Sequence, residues 1–393
     1  MSGPFGSVDA RAFRKRRNLW LAYASELAAP VLRAGASLAT RNGAFPPSQW
    51  RNGLIIGHNH IGDVLYRTAS LDRLHAALPG CRWTYLTSRG SASILANNPA
   101  IDEVLPLCTG DDSWRLESGG FRALGARVFD VALCTNTLRH YPDLTLAAAL
   151  GIPNRVGFVN KGLSGLINHP VRFDFPSSYP AYFRTMVAAV TASAPTWSLR
   201  PRILPGDAAD VEAERVWREA GLDGASAVLA CSLTTRQAVG NWPRGVLLSI
   251  LSRAREFRKF KVVLCGAPED KATIAETARQ LEFPVAVVAG RLSLPGFAAF
   301  LAKCSALLTL DSGPRHIGNA AGIPVIFTRN LSHSRIEAGQ YCDTELDLAP
   351  DAEYLTDVDA VRAARGVDVD RAARSVADQI TRGAVRVSSP RSS

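Results

Sequence analysis

The sequence predicts an α/β protein built of two Rossmann-like, doubly wound parallel-sheet domains that face each other across a cleft. Three observations carry this expectation. A chain of 393 residues is longer than the roughly 250–300 residues at which a single hydrophobic core stops growing. From Gly53 onward, short β-rich runs alternate with helical stretches. After the segment PRILPG at 201–206 the same alternation begins again. Such alternation builds parallel strands joined by right-handed crossovers.

In chain order, GLIIGHN reads as a strand that leads into a helix from about Asp63 to Leu78, and RWTYLTS, EVLPL, VFDVALCT and RVGF read as further strands. In the second half SAVLACSLT, KVVLCG, VAVVAG, ALLTL and PVIFTR are strands, separated by the helical segments RGVLLSILSRAREF, EDKATIAETARQL and LPGFAAFLAKC. The expected organisation is a basic amphipathic extension over 1–50, a first Rossmann-like domain over 51–203, a second over 204–350, and a helical segment with a flexible tail over 351–393. The Pro- and Gly-bearing join near 201–206 is the candidate hinge. A last helix near 368–382 is expected to cross back onto the first domain, and the terminal SSPRSS is expected to be disordered.

Composition narrows the class of protein. With 47% hydrophobic and 20% charged residues, 31 glycines and 23 prolines, the chain is neither disordered nor collagen-like. The formal net charge is +10, which favours anionic partners. That charge is uneven: residues 1–51 hold eight basic residues against two acidic ones, a net +6, and leave only +4 for the rest. So weakly basic a body, with no zinc-finger, RRM-like or KH-like pattern, argues against nucleic-acid binding. The seven cysteines have no CxxC spacing and sit mostly in apolar runs, as buried, reduced thiols do.

Residues 11–41 place Trp20, Ala24, Leu27, Val31 and Leu38 at helical spacing behind a basic start, with Pro30 expected to bend the helix. Three readings stay open for this segment: an amphipathic helix packed on the domain behind it, an interfacial helix on anionic lipid, or an export signal of the twin-arginine type. Glu26 interrupts the apolar stretch and speaks against export. No run of about 18 apolar residues occurs, so no transmembrane helix is predicted.

Two motifs carry chemistry. In GHNHIGDVLYRTASLDRLHAALPG, residues 57–80, a strand ends in His58, Asn59 and His60, and Gly62 permits a tight turn into a helix. Asp63 then stands at a helix N-terminus, where it is either a helix cap or an ionised carboxylate suited to general base catalysis. In LLTLDSGPRHIGNAAGIPVIFTR, residues 307–329, a buried strand delivers Asp311, Ser312 and Gly313 to a helix whose free N–H groups can cradle phosphate, with His316 on its first turn. A packed or capping histidine is the alternative for His316.

Together, one per half, these motifs resemble glycosyltransferase family 9, the ADP-heptose:lipopolysaccharide heptosyltransferases and their relatives, which have the GT-B fold. The resemblance runs from about 53 to 330 and includes IIGHNHIGDVLYRT, NNPAIDEVLPL, NWP at 241–243, VVLCGAPED at 262–270 and LDSGPRHIGNAAGIPV. It implies an inverting transferase that moves a heptose or related sugar from an ADP-sugar to a hydroxyl of a lipopolysaccharide core or related glycan. The first domain would bind the acceptor and the second the nucleotide sugar. Asp63 would be the catalytic base. Asp311, Ser312, Gly313 and His316 would hold the donor diphosphate, Asp270 or Glu269 would bond the ribose, and Leu292 would lie beside the adenine.

The family's usual lysine before Trp-Pro is replaced by Gly240 and Asn241, and Arg236 is the expected substitute because guanidinium binds phosphate bidentately. Arg67, Arg89, Arg139 and His140 follow strand ends and are the candidate contacts to an anionic glycan or glycolipid acceptor. No metal and no cofactor are expected, and the DVD strings at 357–359 and 368–370 read as solvated helix faces. The implied location is cytoplasmic, with residues 11–41 a candidate contact to the inner face of the membrane. The alternatives are a GT-B-fold sugar-nucleotide epimerase and a non-catalytic sugar-nucleotide-binding protein, the latter suggested by the missing lysine.

Overall fold

A computed structural model describes residues 8–13, 16–39, 43–110, 115–136, 140–235 and 242–388. The chain divides into two compact units, 1–199 and 200–393. The basic extension therefore belongs to the first unit, and the C-terminal helical segment to the second.

In the first unit, strands β1 (Asn52–Ile56), β2 (Arg82–Ser88), β3 (Glu103–Cys108), β4 (Val131–Cys134), β5 (Asn154–Phe158) and β6 (His169–Val171) form one parallel sheet in the order β3-β2-β1-β4-β5-β6. Its helices are α1 (Arg16–Leu27), α2 (Ala29–Ala39), α3 (Ile61–Ala77), α4 (Arg89–Ala92), α5 (Gly120–Gly125), α6 (His140–Ala149) and α7 (Tyr179–Val190). Leu54, Ile55 and Ile56 are all fully buried, because a parallel sheet covered on both faces needs apolar side chains on both. Each such residue contributes about 1.5–3 kcal/mol by leaving water. The edge strand β6 is too short to announce itself, and Pro170 within it is tolerated because an edge strand need not donate on both sides.

The second unit repeats the plan. Strands β7 (Val228–Ser232), β8 (Lys261–Leu264), β9 (Val285–Val287), β10 (Ala306–Leu310), β11 (Val325–Thr328) and β12 (Glu345–Asp347) pair in parallel in the order β12-β11-β10-β7-β8-β9. The accompanying helices are α8 (Asp207–Glu219), α9 (Arg244–Phe257), α10 (Lys271–Arg279), α11 (Leu294–Lys303), α12 (Gly313–Ala320), α13 (Arg335–Ala338), α14 (Asp357–Arg365) and α15 (Val369–Ser388). In both sheets the strand order reverses beside the first strand of the unit, between β1 and β4 and between β7 and β10. A doubly wound sheet opens its ligand crevice at such a point, outside the carboxyl ends of the strands.

Two expectations about the ends of the chain are corrected. The last helix, α15, belongs to the second unit: Ala372, Ala373, Val376 and Ile380 lie in its apolar core, and Arg253 on α9 pairs with Asp370 at 2.6 Å. Residues 389–393, for which disorder is expected, lie outside the described residues. The N-terminal helix breaks at Ala28, two residues before Pro30, which cannot donate to the Glu26 carbonyl. Its packed face is also not the apolar one. Ala22, Glu26, Ala29 and Ala36 are buried, whereas Trp20, Leu27 and Val31 are exposed.

Glu26 accepts hydrogen bonds from the Ser164 amide at 2.8 Å and its hydroxyl at 2.6 Å, and the Leu163 amide donates to Ser25 Oγ at 2.9 Å. The helices can come that close because Gly165 has no side chain: a Cβ there would lie 2.3 Å from the Ala29 carbonyl oxygen. Gly165→Val is therefore expected to destabilise the protein by about 1–3 kcal/mol through overpacking. Urea denaturation of the full chain measures this, and proteolysis should become faster within residues 16–39.

Candidate functional site

In the first unit, β1 ends at Ile56 and the chain crosses into α3 through Gly57, His58, Asn59 and His60. A Cβ at position 57 would lie 2.1 Å from Thr135 Oγ1 and 2.4 Å from Arg67 Nη2. Glycine alone lets β1 and the end of β4 close around that guanidinium. Ser91 Oγ, on α4, donates to the Asn59 carbonyl at 2.6 Å and pins the crossing from the other side. His58 is buried and His60 exposed, with their ring centroids 5.8 Å apart.

Asp63 is the third residue of α3, and the cap position belongs to His60, whose side chain makes no capping bond. The cap reading of Asp63 is thereby corrected. Its carboxylate is half-buried and forms no hydrogen bond or ion pair with a described group of the protein.

The expected acceptor contacts fare differently. Arg67 is only 4% exposed and does not face an acceptor. Its Nη1 donates to the carbonyls of His58 at 2.8 Å and Asp63 at 3.0 Å and to the Tyr85 hydroxyl at 3.0 Å. Burial works against the charged guanidinium, but the Tyr85 hydroxyl, Asp63 and Asp143 offset it and leave the pKa of Arg67 raised. Arg67 thus holds the main chain that presents Asp63. Arg89 is exposed yet engaged, with two bonds to Glu117 at 2.7 and 2.8 Å. Arg139 and the side chain of His140 lie outside the described residues.

In the second unit the expected donor residues fall along one sheet edge, after β10, β8 and β9. Thr234, which follows β7, donates to Asp270 at 2.9 Å, and the Ala267 amide bonds the same carboxylate oxygen at 3.0 Å. Asp270 therefore clamps the loops after β7 and β8, and its other oxygen has no bond to a described group. Glu269 is exposed, and Leu292 is half-buried in the turn after β9. Arg236, Gly240 and Asn241 lie outside the described residues.

At the end of β10, Ser312 takes the cap position of α12 without a side-chain capping bond. Pro314 has no N–H to offer and the Arg315 amide bonds the Ser312 carbonyl at 3.0 Å. The Ser312 and Gly313 amides are then left without a protein acceptor among the described residues, aligned with a helix N-terminus as an anion site requires. Asp311 faces the other way and accepts from Arg315 at 2.8 Å.

Arg315, Glu345, Asn319 and Tyr341 were not legible as site residues. Arg315 is 1% exposed, bonds both oxygens of Glu345 at 2.6 and 3.0 Å, donates to the Ala338 carbonyl at 2.8 Å, and lies 3.5 Å from the Phe327 ring centroid. An arginine four residues after Asp311 and four before Asn319, at helical spacing, is the one sequence signal of this network. His316 joins it rather than projecting toward an anion: it is 3% exposed, and its Nδ1 lies 2.6 Å from the Tyr341 hydroxyl. Burial, reinforced by Arg315, holds its pKa well below the ordinary histidine range. His316 is thus a buried, neutral imidazole within the Arg315–Tyr341 network.

A cavity of about 340 Å³ lies at the opposite, N-terminal edge of the first sheet, where Arg82 and Arg127 are already paired with Asp102 and Glu103. Among the described residues no three His, Cys, Asp or Glu side chains gather as metal ligands would, and no helix is long and apolar enough to cross a membrane.

Residues 120–328, slightly over half of the chain, match the family model for glycosyltransferase family 9 (heptosyltransferase). The chain belongs to glycosyltransferase family 9. It is accordingly a glycosyltransferase, and its two six-stranded parallel sheets have the GT-B architecture. Among solved structures it is similar to a glycosyltransferase family 9 protein from Veillonella parvula, with a TM-score of 0.69 at 18% identity over 88% of this chain and 100% of that one. It is also similar to E. coli ADP-heptose LPS heptosyltransferase II, with a TM-score of 0.64 at 16% identity over 86% and 100% of the two chains. A third is E. coli heptosyltransferase WaaC with ADP, with a TM-score of 0.60 at 16% identity over 85% and 99%. No curated protein matches the sequence significantly. The segment matched to glycosyltransferase family 9 holds Asp270 and Asp311–His316 but begins after Asp63, so the case for Asp63 rests on the geometry of its turn.

Two measurements test this account of the second unit. Arg315→Met strands the buried Glu345 carboxylate and should cost about 3–5 kcal/mol of stability in urea denaturation, part of which Glu345→Gln restores. The second concerns pH. The unfolded chain binds a proton at each histidine near 6.5 while folded His316, with its lowered pKa, does not. The stability tied to this group is therefore complete above that pH and declines below it, by up to about 1.4 kcal/mol per pH unit. His316→Gln should make the acid-side decline shallower by one proton.

Proposed function

We propose that the protein is an inverting glycosyltransferase that moves a heptose or related sugar from an ADP-sugar to a hydroxyl of a lipopolysaccharide core or related anionic glycan. The observation that carries this reading is the Asp63 carboxylate: half-buried, on the first turn of α3 just after the crossing from β1, and free of hydrogen bonds to described groups. Such a group can accept a proton from an acceptor hydroxyl placed within about 3 Å. The oxygen then attacks the anomeric carbon, the bond from that carbon to the diphosphate breaks, and the proton remains on Asp63.

The leaving diphosphate gains charge as the bond breaks. In this reading the Ser312 and Gly313 amides and the dipole of α12 stabilise that charge, with Arg236 as the basic partner. The free oxygen of Asp270, or exposed Glu269, bonds the ribose, and Leu292 packs beside the adenine. The choice of donor is supported by relatives whose structures contain ADP or ADP-2-deoxy-2-fluoro heptose. No cofactor is required, since the nucleotide sugar is itself the substrate, and the cytoplasm, where nucleotide sugars are available, is the proposed location.

Incubation with ADP-heptose and candidate acceptors tests the reading through free ADP and the products formed. ADP release only with acceptor supports transfer, an epimerised donor would make the protein an epimerase, and donor binding without turnover would make it a binding protein. Asp63→Asn is expected to slow transfer by about 10²–10⁴-fold while donor affinity is retained. A fully active variant would refute the base assignment.

A further inference from the structure

The N-terminal helices expose what folding normally hides. Four of the fourteen large apolar residues exposed among the described residues, Trp20, Leu21, Leu27 and Val31, fall within twelve positions, at 54–75% exposure. On α1, Trp20, Ala24 and Leu27 share one face by helical spacing, opposite buried Ala22 and Glu26. Arg16 and Arg17 lie one turn earlier on the same side. They and Arg33 are exposed and form no hydrogen bond or ion pair with a described group.

This exposure is not slack packing. Glu26 is the only acidic residue between 16 and 39, and both its oxygens are held by Ser164 on the buried side. Gly165 meets the Ala29 backbone on that side too. The pair of helices therefore cannot roll its apolar face inward without losing those bonds, and the face left outward is apolar and cationic with no acid on it.

We propose that this face docks on an anionic phospholipid surface, with Trp20, Leu27 and Val31 entering the interfacial layer and Arg16 and Arg17 meeting the headgroups. A second copy of the chain fits less well, because pairing the face with itself would bring Arg16 and Arg17 against like charge. The segment lies outside the part of the chain that matches the family, and the proposal does not depend on the transfer reading: lipid binding is measured with neither donor nor acceptor present.

The test is co-sedimentation of the full chain with vesicles of phosphatidylcholine alone and of phosphatidylcholine mixed with phosphatidylglycerol. Binding to the mixed vesicles and not the neutral ones is expected. Arg16→Gln with Arg17→Gln should weaken it by about fivefold per arginine, and Trp20→Ser with Leu27→Ser and Val31→Ser by at least about tenfold. All five positions are exposed, so thermal unfolding should be unchanged. Equal binding by wild type and both variants would overturn the proposal. So would a dimer that the serine variant converts to monomer while vesicle binding persists, since the face would then serve self-association.

Discussion

A buried guanidinium lies beneath each of the two chemical loops, and the geometry of those loops depends on it. Arg67 gathers the carbonyls of His58 and Asp63 under the turn that presents Asp63. Arg315 ties Asp311 to Glu345 and to the carbonyls at the end of α13, beneath the turn that presents Ser312 and Gly313. A loop at a strand's carboxyl end breaks the regular ladder and leaves carbonyls that must find donors. Arginine can satisfy several at once because its five N–H groups form a rigid fork.

The cost of such a device is desolvation of a full charge. Each unit meets it differently. For Arg67, burial is offset by Tyr85, Asp63 and Asp143, none of which forms a close ion pair with it. Arg315 has two carboxylates, and Asn319 and the Tyr341 amide complete the shell of Glu345 at 2.7 and 2.8 Å. The second network is the more nearly closed, and it draws in His316 as a neutral member. At the end of β10 the Ser312 and Gly313 amides have no protein acceptor among the described residues.

The parallel sheet does the remaining placement. Because all six strands of each unit run the same way, the loops after β1 and β4 emerge at one edge of the first sheet, and those after β7, β8, β9 and β10 at one edge of the second. Close packing at that edge depends on small residues, as at Gly57 between Thr135 and Arg67. Thr234 and Asp270 join neighbouring loops in the same way by a single hydrogen bond. Burial pushes the Cys81 and Cys265 thiols up to about 12, where they stay protonated.

The sequence by itself determined the two Rossmann-like halves, ten of the twelve strands and the loops that carry the chemistry, because apolar periodicity, turn glycines and strand-end motifs are local signals. It passed over β6 and β12, which are three-residue strands defined by their neighbours rather than by their own pattern. Only the tertiary structure decided which way each polar side chain faces. Arg67 is a candidate acceptor contact by sequence and His316 either a phosphate contact or a packed histidine, and the structure buries both, since a helix residue's surroundings come from distant elements such as Tyr85 and Tyr341. The same holds for the N-terminal helix, whose apolar stripe was evident from spacing. That it points outward was settled by Ser164 and Gly165, more than 130 residues away in the chain, which hold the opposite face.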